Sequence, residues 1–175
     1  MIIEKNPVQF FTAVCYNWLH LLKDDSYKQI ITDALAVRVR KGHVKVIAFV
    51  VMPNHIHLIW RVQNGYQLQD VQRDFLKFTS REIIHKIKAE GGELALESIY
   101  VGLKDRKYQV WKRNSMSIDL VHEKFFRQKF DYLHNNPCQA HWKLADHPED
   151  YKFSSAGFYD TGKSDFDFLT HHDEL

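Results

Sequence analysis

HVKVIAFVVMPNHIHLIWRV, residues 43–62, holds the pattern that decides the fold. Its first half, His43 to Met52, is nearly continuously apolar, and after His43 only Lys45 breaks it, as expected of a strand buried on both faces. Pro53-Asn54 is turn chemistry. His55 to Val62 then resumes in branched and aromatic residues, so the two halves predict an antiparallel hairpin. The run from Val44 to Met52 is too short to span a bilayer, so no membrane partner is expected.

Working outward, Gln9 to Tyr16 (QFFTAVCY) has the composition of another strand. From Tyr27, the apolar positions Ile30, Ile31, Ala34, Leu35 and Val39 follow helical spacing, with Asp25 or Ser26 as the N-cap and Gly42 just past the end. Downstream, Gln67 to Lys88 repeats that spacing through Leu68, Val71, Phe75, Phe78, Ile83, Ile84 and Ile87. Residues 89–107 contain a glycine pair and no clear period, which reads as a loop or short extra helix. Tyr108 to Ile118 is the expected last strand. A helix should follow from Leu120 to Asn135, capped by Asp119 and stopped by Pro137. The order β-α-β-β-α-β is that of an α+β, ferredoxin-like core: an antiparallel sheet with helices on one face, here with one more helix added at the C-terminal side.

The 175 residues suit one domain, read here as 1–159, with an acidic tail over 160–175. Hydrophobic residues at 45% and charged residues at 26% exclude wholesale disorder. Cys15 and Cys138 make no CxxC pair, which argues against a disulfide framework or a cysteine-rich zinc site. The stretch MIIEKNPVQF lacks a leader pattern, so a cytoplasmic protein is expected. Five acids and one base, Lys163, lie after Tyr159, so the net charge of +2 divides into +6 on the body and −4 on the tail. Such a tail could fold over the basic surface and weaken contact with a polyanion.

Three constellations could carry chemistry. His55 and His57 alternate with Ile56, so both imidazoles share one face of a strand beside a turn, close enough to converge on one metal ion. The same spacing also suits two half-exposed histidines on a polar sheet face. Tyr132 and Asn136 lie one helical turn apart with Gln128 before them. A tyrosine there could be a nucleophile, and an amide oxygen could ligate a hard cation. Packing and a helix stop are the simpler uses of those residues. Arg73, Lys77 and Arg81 form a basic stripe on the second long helix, and Lys112 and Arg113 follow Trp111 in a later basic cluster interleaved with aromatics. Such residues track phosphates or merely solvate a face. No P-loop, GxGxxG after a strand or GxSxG is present.

The stretch Val50-Val51-Met52-Pro53-Asn54-His55-Ile56-His57-Leu58-Ile59-Trp60 resembles the signature of single-tyrosine HUH transposases, named for His, hydrophobic, His. Asp131-Tyr132-Leu133-His134-Asn135-Asn136-Pro137 is similar to the block around that family's nucleophilic tyrosine. Tyr151-Lys152-Phe153-Ser154-Ser155-Ala156, followed by Tyr159, resembles a downstream block of the REP-associated tyrosine transposases, where REP is a repetitive extragenic palindrome. The matches run in order from Phe11 to Tyr159. Tyr108-Gln109-Val110-Trp111-Lys112 only partly resembles the family segment before the last strand.

The resemblance implies that His55, His57 and Asn136 bind Mg²⁺ or Mn²⁺. It implies that Tyr132 attacks a phosphate of single-stranded DNA, leaving a 3′-OH and a 5′-phosphotyrosine bond that a 3′-OH can reverse. Hairpin DNA would be the substrate, with Arg73, Lys77, Arg81, Lys112 and Arg113 as candidate DNA contacts. The family includes monomers and homodimers. Two other readings stay open: a domesticated nucleic-acid-binding module that does not cleave, and a metal-dependent hydrolase, which would need a carboxylate near the two histidines.

Overall fold

The computed structural model describes residues 6–175; residues 1–5, part of the stretch read above for a leader, lie outside the described residues. Four strands form one sheet: β1 (Gln9–Val14), β2 (Val44–Met52), β3 (His55–Val62) and β4 (Met116–Asp119), in the order β2-β3-β1-β4. Every neighbouring pair is antiparallel, which is the ferredoxin-like arrangement. Helix α1 (Asp25–Arg40) crosses from β1 to β2, and α2 (Leu68–Ala89) from β3 towards β4. A short α3 (Glu93–Ser98) follows, then α4 (Glu123–Asn135) and α5 (Ala156–Thr161).

Strand alternation splits the sheet into two faces. Phe11, Ala13, Phe49, Val51, Ile56, Leu58 and Trp60 pack with Ile31 and Leu35 of α1 and Phe75 and Ile83 of α2. Val8, Phe10, Val50, Met52 and Ile59 point the other way, against Leu133, Phe126 and Phe130 of α4. Thus α1 and α2 cover one face, and α4 closes the other. His55 and His57, in step with Ile59, belong to the α4 face.

Several boundaries differ from expectation. The N-cap of α1 is Asp24, one residue earlier than expected. The C-terminus of α1 is as expected: Gly42, at φ 69°, lets its own N–H and that of His43 turn back onto Val39 and Arg38. The last strand is split. Trp111 makes a single bridge to Cys15, the chain leaves the sheet with Asn114 in the left-handed region, and β4 resumes only at Met116 opposite Thr12. The break falls at Asn114, whose φ of 61° cannot continue an extended strand, while Trp111 before it turns its indole into the core and donates to Thr79 Oγ1 at 3.0 Å. Because β4 runs on to Asp119, α4 begins at Glu123, with His122 rather than Asp119 at its N-cap.

The residues after α4 edge the sheet. Val51 N donates to Phe153 O, Ser155 N to Phe49 O, and Thr170 N to Val46 O, so this segment covers the open edge of β2. In the tail, Phe168 is buried and Phe166 and Leu169 pack beside it, while Asp160, Asp165, Asp167, Asp173 and Glu174 stay exposed. Residues 166–170 of the tail therefore lie at the β2 edge, and His172 continues onto α4, against Phe126 and Phe130. The tail does not cover Arg73, Lys77 or Lys112, which border a groove at the opposite, β4 edge. Among the described residues, no helix is long and apolar enough to cross a membrane.

Candidate active site

The Pro53-Asn54 turn sets the first side chain. Pro53 O accepts from Leu22 N and Asn54 O from Cys15 N, so the loop after β1 wraps the hairpin end. Held there, Asn54 Oδ1 lies 2.7 Å from His55 Nδ1. If His55 carries its proton on Nδ1, that nitrogen donates to Asn54 and Nε2 is left with a lone pair. His57 sits opposite Thr12 in the β1–β3 register, and its Nδ1 is 2.8 Å from Thr12 Oγ1. The two imidazole centroids are 4.8 Å apart.

Helix α4 brings the third and fourth groups. Its apolar side packs down on the sheet through Leu133 and Phe130, which turns Tyr132 and Asn136 towards the histidines. The Tyr132 ring is 5.4 Å from that of His57, and the side chain is 44% exposed. Asn136 is buried where α4 tightens into the turn Asn136–Cys138. The register of α4 is held by His134, whose Nε2 lies 2.7 Å from Ser155 Oγ; that hydroxyl in turn accepts from Phe49 N of β2. The Tyr151–Ala156 block thus ties the helix to the sheet edge.

These residues line a cavity of about 510 Å³, together with Thr12, Trp18, Met116 and Trp142. No carboxylate is among the described residues lining it. Both histidines are buried, not half-exposed on a polar face. Burial lowers the His55 imidazole to about 4, with the Asn136 amide opposing and His141 adding to the fall. His57 falls to about 3, again first through burial and then through His55 and Lys129. Both rings are therefore neutral near pH 7, the state in which a ring nitrogen can ligate a cation.

Two buried atoms here have no hydrogen-bond partner, His57 Nε2 and Asn136 Oδ1. Such orphans cost free energy unless something else satisfies them. With the His57 proton on Nδ1, facing Thr12 Oγ1, Nε2 offers a lone pair; together with the Asn136 oxygen, at a cavity shared with a neutral His55, it makes a mixed donor set that fits a divalent cation.

The basic residues divide. Arg73, Lys77, Lys112 and Arg113 line a second groove between α2 and residues 105–115. Arg81 is not on it; its guanidinium meets Glu82 at 3.1 Å and lies over the Phe78 ring. Arg73 is paired with Asp70 at 2.7 Å and Asp74 at 3.1 Å, which offsets its charge. Lys112 links the two depressions, since its Nζ lies 5.6 Å from the Trp18 ring centroid on the cavity rim. Sequence spacing does not single out Thr12, Asn54 or Trp18 as site residues. Only Asn54 has a signal, its place in Met-Pro-Asn-His.

A family profile described as "Transposase IS200 like" matches residues 11–123, which includes His55 and His57 and ends at the start of α4. No curated protein matches the chain. Among solved structures, the fold is similar to a REP-associated tyrosine transposase bound to a REP hairpin, at 20% identity and a TM-score of 0.66, over 96% of this chain and 87% of that one. It is also similar to a candidate transposase from Deinococcus radiodurans R1, at 14% identity and a TM-score of 0.51, over 77% of this chain and 94% of that one.

Proposed function

Because the chain belongs to the IS200-like transposase family, we infer that it cuts and rejoins single-stranded DNA at hairpin-bearing sites, through a 5′-phosphotyrosine link on Tyr132. The observation that carries this reading is the pair of orphaned buried atoms, His57 Nε2 and Asn136 Oδ1, in the cavity that Tyr132 enters.

In this reading His55, His57 and Asn136 hold a divalent cation, Mg²⁺ or Mn²⁺. Bound there, the cation would supply a Lewis acid for the scissile phosphate and stabilise the charge that builds on its oxygens. Asn54 and Thr12 hold the two imidazoles in the required orientation, as outer partners of metal ligands do. Tyr132 attacks phosphorus through its phenol oxygen. The bond from phosphorus to the 3′ oxygen breaks, the phenol proton is lost and the 3′ oxygen gains one. The 5′ phosphate stays on the tyrosine until a 3′-OH reverses the step, so no nucleotide cofactor enters. Exposure of Tyr132 on a helix that His134 and Ser155 anchor suits a nucleophile that must reach a large substrate without moving the sheet.

The single-stranded part of the DNA would run from the β4-edge groove, past Lys112, into the cavity. The absence of a carboxylate among the described lining residues weighs against the hydrolase reading. The hairpin seen on the REP-associated relative supports the same class of partner here. DNA chemistry of this kind would take place in the cytoplasm, in a monomer or a homodimer.

The test is a covalent-trapping gel with Mn²⁺ and 3′-labelled single-stranded hairpins from the gene's own flanks. A labelled, denaturant-resistant protein band is expected, absent in Tyr132→Phe and with chelator. Hairpin binding that persists without metal and gives no band would instead favour the non-cleaving module.

A further inference from the structure

Trp18 stands on the rim of the cavity with 58% of its surface exposed. Its backbone is held rigidly for so exposed a residue. Asn17 and Trp18 both lie in the left-handed region, at φ 51° and 57°, where non-glycine residues are strained. The strain is fixed by close bonds: Trp18 N donates to Cys15 O at 3.0 Å and Leu19 N to Tyr16 O at 3.1 Å. Asn54 Nδ2 lies 3.4 Å from Trp18 O, while the other end of the same amide contacts His55. One side chain therefore touches both the backbone that carries the indole and an imidazole of the candidate metal site. Lys112 places its ammonium over one face of the ring, 5.6 Å from the centroid, which leaves the other face for a base, and no acidic residue is among the described residues of the cavity wall.

An exposed indole on the rim of the candidate active site, with an ammonium over one face, matches the repeating chemistry of an unpaired nucleotide: a flat base and an anionic phosphate. A base in a duplex hides its faces in the stack, so this surface suits the single-stranded part of the substrate. We propose that Trp18 is the stacking platform for an unpaired base next to the bond being cleaved, with Lys112 on the adjoining phosphate. The proposal rests on the DNA-cleaving reading above. It makes Trp18 a positioning residue that aligns the phosphate for Tyr132.

The experiment uses the Tyr132→Phe protein, which binds without cutting, and fluorescence anisotropy on a labelled DNA hairpin carrying single-stranded oligo-dT extensions. Each extension position is replaced in turn by an abasic nucleotide. On intact DNA, Trp18→Ala should weaken binding about tenfold, with Trp18→Phe restoring most of it. One abasic position should weaken the parent by a similar factor and leave Trp18→Ala without further loss. Additive losses at every position, or Trp18→Ala binding as tightly as the parent, would overturn the stacking proposal alone. If the parent bound neither DNA, the DNA-cleaving reading would fall and the stacking proposal with it.

Discussion

Lowering the pH from 7.5 to 5.5 with a chelator present should cost the folded protein about 4 kcal/mol. Three histidines drive this loss. Burial lowers His55 to about 4, His57 to about 3 and His134 to about 4, and each is less than a tenth exposed. In the unfolded chain each should titrate near 6.5. Between these values the unfolded state binds protons that the folded state refuses, so stability falls as pH falls, starting just above 6.5 and ending near each folded value. At pH 5.5 an unfolded histidine is about nine-tenths protonated and the folded one almost not at all. Integrated from pH 7.5, that difference is about 1.4 kcal/mol per histidine. Against a total of about 5–15 kcal/mol, the loss of three such contributions is large. Urea unfolding at a series of pH values measures it. His134→Gln keeps a polar group near Ser155 Oγ and should shrink the drop by about a third, whatever it does to absolute stability. A drop below about 1 kcal/mol in the parent, or an unchanged drop in His134→Gln, would show that burial does not hold these rings neutral.

Millimolar Mn²⁺ should raise the melting temperature of the parent, by about 2.7 kcal/mol of stability at a hundredfold excess over Kd, and scanning calorimetry should find no such rise in His57→Ala. Tyr132→Phe should change stability by less than about 0.5 kcal/mol, because the ring is partly exposed and packs on the cavity rim; a large loss in chemical denaturation would make that tyrosine a core residue instead. Thr79→Val should destabilise by about 1–3 kcal/mol in urea, since it strands the buried Trp111 indole N–H. In hairpin binding across a salt series, Lys77→Ala, Lys112→Ala and Arg113→Ala should each flatten the slope of log K by about 0.7, whereas Arg73→Ala should flatten it less because Asp70 and Asp74 already offset its charge; equal effects would contradict the groove described here.

The hairpin of β2 and β3, the helices α1 and α2 and the antiparallel sheet are legible in the chain because each depends on local periodicity and on two turn residues, Pro53 and Asn54. The shared face of His55 and His57 follows from alternation alone. The last strand is shorter than its composition suggests. Trp111 still bridges Cys15, and its indole donates to Thr79, 32 positions earlier, but the left-handed Asn114 then takes the chain out of the sheet. Nor does sequence spacing show that the acidic tail edges β2, because Leu169 meets Val46 from the far end of the chain.

By itself, then, the sequence determined the fold class, the imidazole pair and the helix that carries Tyr132, since all three are set by neighbours within a few residues. Tertiary structure alone decided the rest. Packing α4 on the second face of the sheet buries both histidines, leaves His57 Nε2 and Asn136 Oδ1 without partners, and sets Tyr132 beside them. Wrapping the loop after β1 around the Pro53-Asn54 turn brings Trp18 to the same rim. Burial and convergence are properties of surfaces brought together from distant parts of the chain, and no local pattern records them.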